Sequence, residues 1–263
     1  MPEAMAFLTA EAVLGDVQAC HLVQLYGGDS APLVRNAGRY LADGLSQGEA
    51  AVAIATEQHL AGFRAQVEAA GVDAAAAVAD GRLVFLDAEQ TLSRLLADGQ
   101  PDATRFERVI GGLVDELLGR CPAGVRAYGE MVGLLWEATR FRAAVALEEL
   151  WNERLREGGL RLFCGYPIDV WAMEFSETEV HGVLCAHSHL VPSRPSLRCA
   201  LERAMDEVLG APAAGVRSLA EAASRSAWAI LPTAEATILW LRRHLPEHSE
   251  AILARTREYV SAA

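Results

Sequence analysis

Residues 21–32 read HLVQLYGGDSAP. A short apolar run leads through Tyr26 into Gly27-Gly28. Asp29 or Ser30 then caps a helix that carries Pro32 in its first turn. Leu33, Ala37, Tyr40, Leu41 and Leu45 follow at the spacing of one helical face. A strand feeding straight into a helix is the opening unit of an α/β fold, and the chain repeats it. Four further runs read AVAIATEQH at 51–59, RLVFLD at 82–87, VRAYGE at 125–130 and LRLFCGY at 160–166. Helix-like stretches lie near 58–70, 74–79, 89–97, 103–119 and 138–157. The alternation predicts a mostly parallel sheet flanked by helices. Ligands of such sheets bind beyond the carboxyl ends of the strands. Those ends carry Tyr26, Glu57, His59, Asp87, Glu130, Cys164 and Tyr166.

Composition excludes several chemistries. The turn at 25–33 reads LYGGDSAPL and lacks GxxxxGK[ST], and the chain has no lysine. A phosphate-binding lysine and Schiff-base catalysis are therefore both ruled out, and ATP hydrolysis is not expected. A formal net charge of −12 opposes direct binding to nucleic acid or to an anionic membrane. Hydrophobic residues make up 52% of the chain, enough for a sizeable core. Cys20, Cys121, Cys164, Cys185 and Cys199 are scattered, with no CxxC pair, which fits reduced thiols in the cytoplasm. The acidic start MPEAMAFLTAEAVLGD carries no leader or membrane-span signal.

Within the runs, Tyr128-Gly129-Glu130-Met131 is the most distinctive. Glycine permits close backbone approach, and a carboxylate follows at the strand end. Glu130 reads either as a ligand contact or as an ion-pair partner for Arg140 or Arg142. In AAVALEELWNERL, Glu148, Trp151 and Leu155 share a helical face. Trp151 on such a stripe reads either as core or as pocket wall, with Glu148 as an arginine partner or a polar contact. The strand end at 128–130 is expected to face this helix. Cys164 beside a histidine is conceivable as a nucleophile, though a cysteine on an apolar strand is ordinarily packing. HGVLCAHSH places His181, Cys185, His187 and His189 within nine positions. Histidine and cysteine are metal ligands, but only His181 and Cys185 share a helical face, and neither HExxH nor CxxC spacing occurs. The stretch SLAEAASRSAWAILPTAEATILWLRR at 218–243 has a faint helix-turn-helix pattern in acidic surroundings. It reads better as a docking or dimerising pair with Trp228, Ile238, Trp240 and Leu241 as its apolar surface.

With these pieces in view, the chain resembles the MEDS family, the methanogen/methylotroph sensory domain. The matching segments are HLVQLY at 21–26, LADGLSQGEA at 41–50, GRLVFLDA at 81–88, LFCGYP at 162–167 and CAHSHLVP at 185–192. The strongest is RAYGEMVGLLWEATRFRAAVALEELWN at 126–152. The resemblance implies a RecA/KaiC-like sheet without Walker motifs. It also implies a sensory role, for small organic or hydrocarbon-derived molecules, in signalling or transcription control; a bacterial origin is suggested separately by the many Ala, Gly and Arg residues beside absent Lys. No convincing N-terminal DNA-binding helix-turn-helix or kinase module accompanies it, so a signal must pass to a partner.

The expected organisation is a lead-in at 1–19, an α/β sensory domain at 20–192 and a helical extension at 193–263, divided at the proline-rich break near 192–195. The expected function is non-enzymatic binding of a small organic ligand by Tyr26, His59, Tyr128, Glu130, Trp136, Glu148, Trp151 and Tyr166. No cofactor is expected, and a protein partner or homodimer is. Two alternatives remain open: a metal- or haem-dependent redox sensor or enzyme using Cys185, His187 and His189, and a ligand-free adaptor acting through the tail.

Overall fold

A computed structural model describes residues 9–16, 18–194, 196–223 and 230–262. The residues group into two compact units, Val17–Pro167 and a second comprising Met1–Asp16 with Ile168–Ala263. The proline-rich break near 192–195 lies inside the second unit.

In the first unit the strands are β1 (His21–Leu25), β2 (Ala50–Ala55), β3 (Leu83–Asp87), β4 (Leu96–Ala97), β5 (Gln100–Pro101), β6 (Val125–Gly129) and β7 (Leu160–Tyr166). Five of them pair in parallel in the order β3-β2-β6-β7-β1. Helices cover both faces, which is why the strands are near-continuous apolar runs rather than alternating ones. The fold is thus α/β, as the five runs predict. β4 and β5 form a separate antiparallel hairpin through Asp98 and Gly99, whose φ angles of 48° and 77° suit a tight turn.

Side chains alternate between the two faces. Arg126 and Tyr128 of β6 and Phe163 of β7 share the face covered by the helices Ala31–Ser46 and Glu57–Ala69. Tyr128 meets Phe63 at 4.7 Å between ring centroids, and Tyr40 meets Phe163 at 5.6 Å. Leu33, Ala37, Tyr40, Leu41 and Leu45 are all buried there, as their spacing predicts. Leu162, Cys164 and Tyr166 point to the opposite face, beneath the helix Phe141–Arg156. Trp151 of that helix packs edge-on to Phe106 at 5.1 Å, and Arg154 reaches Asp115 at 2.5 Å.

Connectivity picks out one crevice. After β2 the chain runs through Glu57–Ala69 on the first face to β3, away from β6. After β6 it runs through Phe141–Arg156 on the second face to β7, away from β2. The carboxyl ends of β2 and β6 therefore flank a topological switch point, where neighbouring connections diverge and where parallel α/β sheets generally bind their ligands.

One helix departs from the sequence expectation. Met131–Glu137 is helical directly after β6, whereas the sequence predicts the next helix only from about 138. It ends where Thr139 adopts a φ of 55° before the next helix. Gly133 lets it lie against β7: a Cβ there would sit 2.8 Å from the Gly165 carbonyl oxygen.

The second unit is helical, with Glu177–Ala186, Leu197–Leu209, Ala213–Ala223, Thr233–His244 and Pro246–Ser261. A parallel bridge from His189 to Ile230 interrupts the purely helical tail that the sequence suggests. Of the apolar residues expected to dock a partner, Ile238 and Leu241 are buried and Trp228 lies outside the described residues. No described helix is long and apolar enough to cross a membrane.

Two buried charges give measurable consequences. Arg126 pairs with Glu49, donates to Gln47 at 3.1 Å and to the Tyr40 carbonyl at 3.3 Å, and lies over the Tyr40 ring. Glu49→Ala strands a buried guanidinium. It should cost about 3 kcal/mol, seen as a lower urea midpoint at unchanged slope. Glu235, in the first turn of Thr233–His244, is wholly enclosed, and burial pushes its carboxyl up to about 7. The folded state then holds a proton that the unfolded state releases near the ordinary glutamate value. Its stabilising contribution is complete below that value and is lost as pH rises towards 7. Glu235→Gln should therefore be little different from wild type at pH 4 and more stable by roughly 3 kcal/mol at pH 8, measured by urea unfolding at both pH values.

Candidate functional site

Glu130 is the first residue past β6. Its backbone N–H donates to the Ile54 carbonyl at 3.1 Å, which extends the β2–β6 ladder to the switch point. Its side chain is buried, and a buried carboxylate demands donors. Oε1 accepts from the Thr56 N–H, just beyond β2. Oε2 lies 2.7 Å from His59 Nδ1 and accepts from the Tyr128 hydroxyl at 3.1 Å. The tautomer that donates from Nδ1 to Glu130 makes Nε2 of His59 an acceptor. Tyr26, half-buried, sets its ring edge-on to His59 at 5.8 Å, and its N–H donates to the Tyr166 carbonyl at 3.0 Å. Burial, then Glu130 and Glu137, hold the Tyr26 hydroxyl in its neutral, donor form, above the ordinary tyrosine range. Burial and Glu130 do the same for Tyr128.

A second carboxylate sits on the other face. Glu148 accepts from the Tyr166 hydroxyl at 2.7 Å through Oε1, while Oε2 lies 3.3 Å from His21 Nε2 and 3.9 Å from Cys164 Sγ. Burial first, then Glu148, pushes both the Tyr166 hydroxyl and the Cys164 thiol up, so an unassisted Cys164 is a poor nucleophile. Trp136 bridges towards the rim, 5.7 Å from Tyr166 and 4.7 Å from Phe141.

The eight residues read from the sequence as one ligand set thus fall into separate groups. Tyr26, His59, Tyr128 and Glu130 come together at the switch point. Glu148, Tyr166 and Trp136 gather across the sheet, and Trp151 lies in the core against Phe106. The expectation that the 128–130 strand end faces the Glu148–Trp151 helix is corrected: it faces the Glu57–Ala69 helix. Glu130 also takes His59, Tyr128 and the Thr56 amide as partners rather than Arg140 or Arg142. Sequence reading missed His21 and Asn152, although a histidine opening an otherwise apolar strand was a visible signal.

The four residues at 181–189 do not share one donor set. His181 and Cys185 touch, 3.6 Å from Nε2 to Sγ, on an exposed helical face. His187 is buried and its Nδ1 lies 2.6 Å from the Val183 carbonyl. His189 contacts Ser188 and lies 3.8 Å from Asp16, and its pKa is lowered, chiefly by burial.

The Tyr128 hydroxyl reaches Glu130 because Gly165 has no side chain: a Cβ there would sit 2.3 Å from that oxygen. Tyr128→Phe removes one donor to a buried carboxylate and should cost about 1.5–3 kcal/mol. Gly165→Ala should cost more. The double variant should cost less than the sum of the two, as a thermal-melt double-mutant cycle will show.

No curated protein matches the chain. A family model described as the methanogen/methylotroph, DcmR sensory domain matches residues 20–188, spanning β1 to β7 and both carboxylate clusters. The match covers well over half of the chain, which therefore belongs to the MEDS family of sensory domains.

Proposed function

We propose that this sensory domain binds a small organic molecule at the carboxyl edge of its sheet, in the crevice flanked by β2 and β6. The observation that supports this most is Glu130 at the switch point, with His59 and half-buried Tyr26 beside it. The site offers one carboxylate, one imidazole acceptor and phenolic donors. Glu130 and Glu137 both act on the Tyr26 hydroxyl, and Asp29 stands in the adjoining turn. Such a field disfavours phosphates and other anions and favours a neutral or cationic molecule that donates hydrogen bonds.

Binding here passes a signal without a chemical step. A ligand shifts an equilibrium only through its different affinity for two states. Thr56 and His59 start the Glu57–Ala69 helix, and Glu130 precedes Met131–Glu137. A ligand that competes for Glu130 therefore loosens or tightens the starts of helices on opposite faces. The readout is a protein partner or a second copy of the chain, in the cytoplasm and within transcription control. Direct contact with DNA or a membrane is not part of the reading, given the acidic surface.

Ligand-observed NMR with one- and two-carbon alcohols, amines and amides tests the reading. At least one class should bind saturably. Glu130→Gln, which keeps the side chain's volume, should then weaken binding by about tenfold or more while the melt remains cooperative. Unchanged affinity in Glu130→Gln removes this crevice as the site, and absence of binding by every class removes small one- and two-carbon molecules as ligands.

A further inference from the structure

The sheet face beneath Phe141–Arg156 brings a nitrogen, an oxygen and a sulfur donor to one point. β1 and β7 pair with His21 level with Leu162 and Val23 level with Cys164. His21 and Cys164 therefore project from the same face of adjacent strands, one pleat apart. Glu148 meets them from the helix above. His21 Nε2 lies 3.5 Å from Cys164 Sγ and 3.3 Å from Glu148 Oε2, and Sγ lies 3.9 Å from Oε2. All three side chains are buried.

We propose that His21 Nε2, Cys164 Sγ and Glu148 Oε2 form three corners of a site for one divalent transition-metal ion of the zinc class. The spacing carries the proposal. Zinc bonds of about 2.3 Å to sulfur and about 2.0–2.1 Å to nitrogen or oxygen, arranged tetrahedrally, put the nitrogen and sulfur about 3.5 Å apart. They put nitrogen and oxygen about 3.3 Å apart, and oxygen and sulfur about 3.5 Å apart. Two of the three observed edges already have these lengths, and the third closes with a shift of a few tenths of an ångström.

The surroundings orient the donors as metal-site surroundings do. His21 Nδ1 lies 3.0 Å from Asn152 Oδ1, and the tautomer donating there directs the Nε2 lone pair towards Cys164 and Glu148. The Tyr166 hydroxyl holds Glu148 Oε1, which turns Oε2 inwards. A mixed imidazole, thiolate and carboxylate set suits zinc, cobalt or ferrous iron and is wrong for magnesium or calcium, which take oxygen ligands. Binding releases the thiol proton of Cys164 to solvent as the sulfur–metal bond forms, with no change of oxidation state. The site lies across the sheet from Glu130 and does not depend on the crevice reading. It also differs from the His181–Cys185 face.

The test uses the full chain, purified without a histidine tag and without chelator, then stripped and titrated with Co²⁺. The expected result is one equivalent bound, with a thiolate-to-cobalt charge-transfer band that added Zn²⁺ abolishes. Cys164→Ser should lose that band with unchanged far-ultraviolet circular dichroism. His21→Gln should weaken Co²⁺ binding at least tenfold, and Cys185→Ser should change nothing. Failure of the wild-type chain to show the band overturns the proposal, as does a band that survives Cys164→Ser. If Cys164→Ser does not fold, X-ray absorption of the zinc-loaded wild type decides: one sulfur in the first shell supports the site, and none or several sinks it.

Discussion

A carboxylate buried past the end of β6 must be satisfied by the protein around it, and the first unit is arranged to do so. Glu130 draws a backbone amide from the end of β2, an imidazole from the helix that follows β2, and a phenol from its own strand. Leaving such a group unpaired costs several kcal/mol, so these partners tie the β2 and β6 ends to one geometry. The aromatic packing follows. Tyr128 must lie on the first face to reach Glu130, which places it against Phe63 and Phe163. Its hydroxyl then needs the space that Gly165 leaves on β7.

Much of this architecture was legible in the chain. Five apolar runs of strand length, separated by helical patterns, gave the parallel sheet, and the stripe from Leu33 to Leu45 gave a buried helical face. The Met131–Glu137 helix was not legible: no side chain caps its start, and its seven residues are too few for a helical period to stand out. The β4–β5 hairpin was hidden because two-residue strands have no periodicity to read. The helical tail was legible as a class, but the burial of Ile238 and Leu241 reverses their reading as a docking surface.

The candidate site was legible residue by residue and illegible as a whole. Tyr26, His59, Tyr128 and Glu130 were visible because strand ends are where parallel sheets bind ligands. Their separation from Glu148 and Tyr166 was not, because a strand buried on both faces is apolar at every position and carries no mark of which side is which. Only register fixes the face, and register is a long-range property. His21 and Cys164, 143 positions apart, illustrate this: a histidine at the start of one run and a cysteine inside another become neighbours only once β1 pairs with β7.

The two carboxylate clusters also bear on how a parallel sheet of this kind can serve a sensory domain rather than a phosphate-binding one. A phosphate-binding loop presents N–H groups and a lysine to compensate the charge of its ligand. Here the negative charge belongs to the protein. Glu130 consumes an amide, an imidazole and a phenol of the chain itself, and no lysine exists to reverse the field. A sheet that neutralises its own anion at the switch point has little left for a phosphate. It retains, in His59 and Tyr26, polar groups of moderate strength at an aromatic rim. On the proposed function, those groups suit small molecules that carry one or two polar atoms, for which a strong electrostatic site is unnecessary and selective desolvation matters more.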